Sequence, residues 1–365
     1  MTSILDDVNL IIVIPGMGAR KDHPFRNYPL GQWWDIEMCR GLLQSTIDDV
    51  LGKNKGSVVV RAVDYSGVRA EHGVDRMLDL VTYKQGVSYM RHLANNTAID
   101  VLMYLNSGVG KEVRSSVSKQ LNEIVEQERQ KYPNRNVNVH LFGHSLGSVV
   151  AFDTLQFNEN SDTSVLHFET KNAFLIGSPL GLFLTLRYAA THHTDTLSDH
   201  KRLLKRTSLY HVFHPFDPVA YRIDPHLDER FSKLEPLDVK SVFQPQQHHS
   251  GWTRSTKEKW SSLVNMFSTK TNIEGPAQND GWVKVTTTTI QTSVESKEKE
   301  EPKLSIQDVK AVENSLSDYQ RIDHITKPDV FQQMNEYFVS GDVHLKYYSN
   351  REVAAFIVAK MLIHE

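Results

Sequence analysis

The sequence predicts an α/β fold: a mostly parallel sheet flanked by helices, interrupted by one polar insertion. Three observations predict it. Residues 10–14 (Leu-Ile-Ile-Val-Ile) form a continuous apolar run, which reads as a strand covered on both faces, as in a parallel sheet. Further strand-like runs alternate with segments of helical periodicity, which implies right-handed crossovers. Residues 137–141 alternate apolar and polar, run straight into Gly143-His-Ser-Leu-Gly147, and continue into the apolar Val149, Val150, Ala151, Phe152 and Leu155. This is a strand, a tight turn and a buried helix in succession.

In chain order, Pro15-Gly-Met-Gly18 follows the first strand, and its glycines let the backbone bend and present an N–H group. Trp33 and Trp34 open a helix to about residue 50. Residues 58–63 read as a strand and 75–93 as helical, whereas 97–105 fit either state. Residues 110–130 form a charged amphipathic helix with Val113, Val117, Leu121 and Ile124 on its apolar face. Beyond the glycine-flanked turn, 171–176 is a strand ended by Gly177-Ser-Pro179, and 180–190 is helical. Residues 208–214 are a strand that stops at Pro215-Phe-Asp-Pro218. From 231 to 303 the composition turns polar, with Gln244-Pro-Gln-Gln-His-His249 and a run of threonines. Such a stretch buries too little apolar surface to join a core, so the domain is read as 1–230 plus 304–365, with 231–303 inserted. Within the insertion, Trp260, Leu263, Val264 and Phe267 follow helical spacing, so 256–268 reads as an amphipathic helix that docks on the domain or meets a membrane surface. Order returns with a strand at 319–325, a short helix at 331–338 and a closing helix at 351–363.

The chemistry centres on Ser145. In a G-x-S-x-G elbow the central residue is strained, and flanking glycines are needed where a side chain would strike the neighbouring strand or helix. Ser145 is then a nucleophile, with the N–H groups of Leu146 and Met17 as oxyanion donors. A serine hydroxyl needs a base, and the base needs an acid to orient it. In elbow hydrolases the order is serine, acid, histidine. Asp217 follows a late strand and suits the acid. Among 17 histidines, only His324, His344 and His364 lie in the last segment. His364 is next to the end and His324 is inside a strand pattern, so His344 is taken as the base, with Asp323 as the second-choice acid. His144 is read as packing or hydrogen-bonding beneath the site, His211 and His214 as satisfied core or rim groups, and Asp153 as structural.

The net charge of −3 argues against a nucleic-acid partner. One cysteine, Cys39, forms no internal disulfide, which suits a reducing compartment. No apolar run is long enough to span a bilayer and the amino terminus is unlike a secretory signal. A cytoplasmic protein with peripheral membrane contact is expected. The sequence leaves open a homo-oligomer.

Four blocks resemble the DDHD-domain proteins, the intracellular phospholipases A1 that prefer phosphatidic acid: Gly143-His-Ser-Leu-Gly-Ser148, Gly177-Ser-Pro-Leu-Gly-Leu-Phe-Leu-Thr-Leu-Arg187, His214-Pro-Phe-Asp-Pro-Val-Ala-Tyr-Arg-Ile-Asp-Pro225 and Arg321-Ile-Asp-His324. The resemblance implies an α/β-hydrolase-like fold and hydrolysis of the sn-1 ester of a glycerophospholipid at a membrane surface, transiently bound, with Ser145 as nucleophile. Of the family's three aspartates and one histidine, Asp217, Asp323 and His344 match the first three positions. Glu352 stands where the last aspartate is expected. The family's usual His-Gly-x-Gly is here Pro15-Gly-Met-Gly18; the glycines, and with them the oxyanion role, remain. Arg222 and Arg187 are candidates for the lipid phosphate, because a guanidinium fork matches phosphate oxygens, although structural ion pairs would serve them equally. No cofactor is required by this reading. A divalent metal on Asp217, Asp323, His344 and Glu352 is the alternative, which would make a phosphohydrolase; a catalytically silent lipid-binding or trafficking module is the other.

Overall fold

The computed structural model describes residues 7–16, 32–51, 57–81, 100–157, 165–191, 201–240, 320–326, 343–344 and 346–362. Seven strands form one sheet: β1 (Val8–Ile14), β2 (Ser57–Ala62), β3 (Val137–His144), β4 (Thr170–Ile176), β5 (Ser208–Phe213), β6 (Leu237–Asp238) and β7 (Asp323–Ile325). Their order is β2-β1-β3-β4-β5-β7-β6, and every pair is parallel. This is the predicted α/β hydrolase-like architecture.

The apolar runs explain the layering. Along β1 every residue is buried, and successive side chains leave opposite faces. Leu10, Ile12 and Ile14 join one core with Val113, Val117 and Leu121 of α4 (Ser107–Lys131), Val149 and Phe152 of α5 (Leu146–Phe157) and Phe183 of α6 (Leu180–Ala190). Ile11 and Val13 join the other, with Cys39, Leu43 and Ile47 of α1 (Gln32–Leu51) and Phe356 and Val358 of α9 (Arg351–Leu362). A strand with water on neither side needs no polar alternation, which is why its sequence reads as unbroken aliphatic.

The chain leaves β1 toward β2 on one side and later returns to place β3 on the other. Such a reversal opens a crevice at the carboxyl ends of the two strands, where sites in open α/β sheets lie. Ser145 follows β3 at that crevice, beside Gly16 just past the end of β1.

Some elements differ from the sequence reading. The helix read from 75 is present as α3 (Val74–Val81), and a short helix that the reading did not include, α2 (Ser66–Glu71), precedes it. The break is at Gly73, whose φ of 62° leaves the helical range; residues 82–93 lie outside the described part. The ambiguous stretch resolves as helix over 100–105. Residues 231–240, read as the start of the polar insertion, pack with the fold: Phe231, Leu234 and Val239 are buried, and β6 adds to β7. Apolar residues so spaced among charges are too sparse for periodicity to reveal; Phe231 and Leu234 join the core that holds Ile223 and Leu227, and Val239 joins the core on the other face. The helices expected at 256–268 and 331–338 lie outside the described residues. On either side of β5, α7 (Lys201–Arg206) and α8 (Asp224–Leu227) are short connectors. Among the described residues no helix is long and apolar enough to cross a membrane.

Candidate active site

Ser145 is the only described residue other than glycine with positive φ, at 52°. That left-handed value costs about 1–2 kcal/mol for a residue with a Cβ, and three close approaches hold it. A Cβ on Gly143 would stand 2.5 Å from Ser148 Cα, one on Gly147 would strike the carbonyl oxygens of Ile14 and Pro15, and one on Gly16 would stand 2.8 Å from Ser145 Cβ. The end of β1 and the start of α5 therefore pack backbone to backbone around the turn. The Ser145 N–H donates to the Ile176 carbonyl at 3.0 Å, tying the turn to the end of β4. The Ser145 hydroxyl is buried and makes no hydrogen bond with the described residues. Leu146 opens α5, so its N–H is among those a helix leaves without an internal partner. Met17 lies outside the described residues.

Asp217 and His344 meet. Nδ1 of His344 is 3.0 and 2.9 Å from the two carboxylate oxygens of Asp217. The Val219 N–H donates to the same carboxylate at 2.9 Å and the Tyr347 hydroxyl at 2.7 Å. Burial pushes the Asp217 carboxyl up, but His344, Tyr347 and the Val219 N–H outweigh it and hold the group below its ordinary range. An ionised Asp217 needs Nδ1–H as donor, which leaves Nε2 of a neutral His344 as a base. His144, one residue before Ser145, is fully buried, and its ring lies 4.9 Å from that of His344. Gly177 closes the arrangement: its φ is 54°, and a Cβ there would stand 2.7 Å from the Tyr347 ring, 2.8 Å from Asp217 and 3.2 Å from His344 Nδ1.

The remaining candidates go elsewhere. Asp323 is buried, accepts from His211 Nδ1 at 2.9 Å and from the N–H groups of Ile223 and Asp224, and sits beside Arg222. Its role is to pin the 217–224 loop to β7. Asp224 answers by accepting from Arg321 at 2.8 Å and from the Ile322 N–H at 2.7 Å. Arg222 also donates to the Phe231 and Leu234 carbonyls, and Arg187 grips Asp153 through two bonds of 2.7 and 2.6 Å. Both guanidinium groups thus have internal partners. Glu352 pairs with Lys240 at 2.8 Å. Asp217, Asp323, His344 and Glu352 therefore do not converge, and no group of three metal-capable side chains comes together among the described residues. These four do not fit a shared metal.

Sequence reasoning missed Tyr347. A tyrosine three places after the candidate base was visible, but nothing local says that it faces Asp217.

Residues 166–302 match the family model of the DDHD domain, a span that contains Asp217 but neither Ser145 nor His344. The chain is 26% identical over 294 residues to a Schizosaccharomyces pombe protein named a probable mitochondrial phospholipase, covering 76% of this chain and 39% of that one. It is 26% identical to an intracellular phospholipase A1 of Caenorhabditis elegans, over 64% of this chain and 32% of that one. It is 27% identical to the SEC23-interacting protein of Mus musculus, over 54% and 21%. The chain thus spans less than half the length of each of these relatives. No solved structure matches it.

Proposed function

We propose that this DDHD-domain chain is a serine esterase that removes the sn-1 acyl chain of a glycerophospholipid, with phosphatidic acid as the leading substrate. The observation that carries the reading is the Asp217–His344 pair beside a strained serine elbow. In this mechanism Nε2 of His344 takes the Ser145 proton as Oγ attacks the ester carbonyl. The Leu146 N–H, with Met17 as second donor, holds the oxyanion. His344 then passes its proton to the departing lysolipid alkoxide, and a water activated by the same nitrogen releases the fatty acid and restores Ser145. Asp217 stays ionised throughout and keeps the imidazole in the working tautomer.

The phospholipase names of the relatives support a lipid substrate, and transient contact with a bilayer surface is part of the same proposal. The sn-1 position and the phosphatidic acid head group rest on the family resemblance. The test is product analysis on vesicles of position-labelled phosphatidic acid or phosphatidylcholine. Wild type should release lysolipid with the sn-2 chain retained. Ser145→Ala should lose at least about 10³-fold in kcat. Persistent lysolipid release by the mutant would end the reading.

A second reading is a lipid-binding module without turnover. The burial of the Ser145 hydroxyl, with no bond to the imidazole, favours it, and so does the likeness to a SEC23-interacting protein. Failure of a fluorophosphonate to label Ser145 in folded protein would select it.

A further inference from the structure

The elbow and the order serine, acid, histidine account for Ser145, Asp217 and His344. They do not account for Tyr347. Tyr347 lies in the short helical turn Lys346–Ser349 and is 3% exposed. Its hydroxyl accepts the His214 N–H at 2.9 Å and donates to Asp217 at 2.7 Å. A phenol has one proton, and a backbone amide can only donate. With His214 on one side, the hydroxyl is oriented so that its proton goes to Asp217.

We propose that Tyr347 is a positioning residue for the ester hydrolysis described above: it fixes the rotation of the Asp217 carboxylate so that the carboxylate meets His344 Nδ1, and it takes up part of the negative charge that the imidazole would otherwise feel. The proposal rests on the hydrolase reading and adds a fourth member to it. Two donors besides His344 bind the carboxylate: the Val219 N–H at Oδ1 and Tyr347 at Oδ2, where Gly177 leaves room that a Cβ would take. Only Tyr347 can be removed without altering the main chain. Burial, and then the charge of Asp217, push the phenol well above its ordinary value, so it remains a donor at any working pH. The other titratable rings around the pair are His144, which lies against His344, and His214, whose backbone holds the phenol.

A packing role and a positioning role separate experimentally. Tyr347→Phe keeps the ring and removes the proton. A ring-fluorinated tyrosine at 347 keeps the shape and makes the hydroxyl a stronger donor. Activity on phospholipid vesicles and the rate of fluorophosphonate labelling of Ser145 would be followed against pH. For Tyr347→Phe, kcat should fall about tenfold, as for loss of one hydrogen bond to a charged group, with KM changed less than about twofold. Its acid limb, where the base becomes protonated, should move to higher pH, because an unmoderated carboxylate holds a proton on the imidazole more tightly. The fluorinated tyrosine should move that limb to lower pH. If both proteins keep the wild-type limb, the proposal is overturned, whatever happens to the overall rate. Should Tyr347→Phe not fold, the fluorinated protein decides alone. Ser145→Ala runs alongside. Full activity there sinks the hydrolase reading. An inactive Ser145→Ala beside a Tyr347→Phe indistinguishable from wild type sinks only the role of Tyr347.

Discussion

His144 donates its Nε2–H to the backbone carbonyl of His344 at 2.8 Å, across 200 positions of sequence. A carbonyl can only accept, so the tautomer of His144 is settled. The residue beside the candidate nucleophile thereby holds the main chain of the candidate base. His144→Phe fills the space without the donor and should lower kcat about tenfold. His144→Gln offers an amide N–H and should recover part of that loss. Steady-state kinetics on both variants, with thermal unfolding to confirm the fold, checks this.

Burial, and then the neighbouring His344, lowers the His144 imidazole from 6.5 to about 3. Burial does the same to His324, also to about 3, where the ring lies against Tyr210 and Phe356. Unfolding frees both to bind protons at the ordinary value. Below pH 6.5 the unfolded chain thus holds up to two more protons from these groups, so stability falls as pH falls. The two together contribute a slope approaching about 2.7 kcal/mol per pH unit between pH 6 and pH 4. Urea unfolding across that range should show it, and His324→Gln should remove about half. An unchanged slope in that variant would contradict the assignment.

Gly177→Ala places a methyl group against Tyr347, Asp217 and His344 together, at a φ of 54°. We expect a stability loss of about 1–2 kcal/mol from the backbone conformation alone. Activity should fall by more than stability explains, because the methyl separates acid from base. Denaturant unfolding and labelling of Ser145, measured on one preparation, give both values.

Asp217→Asn and Asp323→Asn separate chemistry from architecture. The first should keep the fold and lose about 10⁴-fold in kcat, since an amide does not secure the working tautomer. The second removes a buried charge matched to His211, Arg222 and two N–H groups, and should cost about 3–5 kcal/mol. Its unfolding midpoint should drop before any kinetic defect is interpretable.

Arg187→Ala tests a residue that the sequence offered to the lipid phosphate. Its partner Asp153 is fully buried and also accepts from Tyr104 at 2.7 Å. Loss of the guanidinium should destabilise by about 3 kcal/mol. The ratio of phosphatidic acid to phosphatidylcholine turnover should not change. A changed ratio at unchanged stability would return Arg187 to the head group.

Much of this molecule was legible in one dimension. Unbroken aliphatic runs marked the strands, because a strand buried on both faces has no other composition open to it. Helix α6 was read to the residue. The elbow was legible because two glycines and a serine answer a local steric demand, and the order of the chain pointed to Asp217 and His344. What stayed hidden was reach. Residues 231–240 looked like insertion because their apolar members are few and their partner strand lies more than eighty residues on. Asp217 was the first choice of acid and Asp323 the second, but nothing in the chain order says which imidazole each one meets: Asp323 binds His211 and Asp217 binds His344.

The sequence by itself determined the strands and the strained turn at Ser145, since each depends on near neighbours in the chain, and the order of the chain narrowed the groups able to serve that serine. Only the tertiary structure decided which carboxylate faces which imidazole, that Arg187 and Arg222 have internal partners, and that Tyr347 bonds Asp217 and His144 bonds His344 across long stretches of chain. Hydrogen bonds act over about 3 Å of space. Separation along the chain carries no record of that distance until the sheet brings the strand ends together.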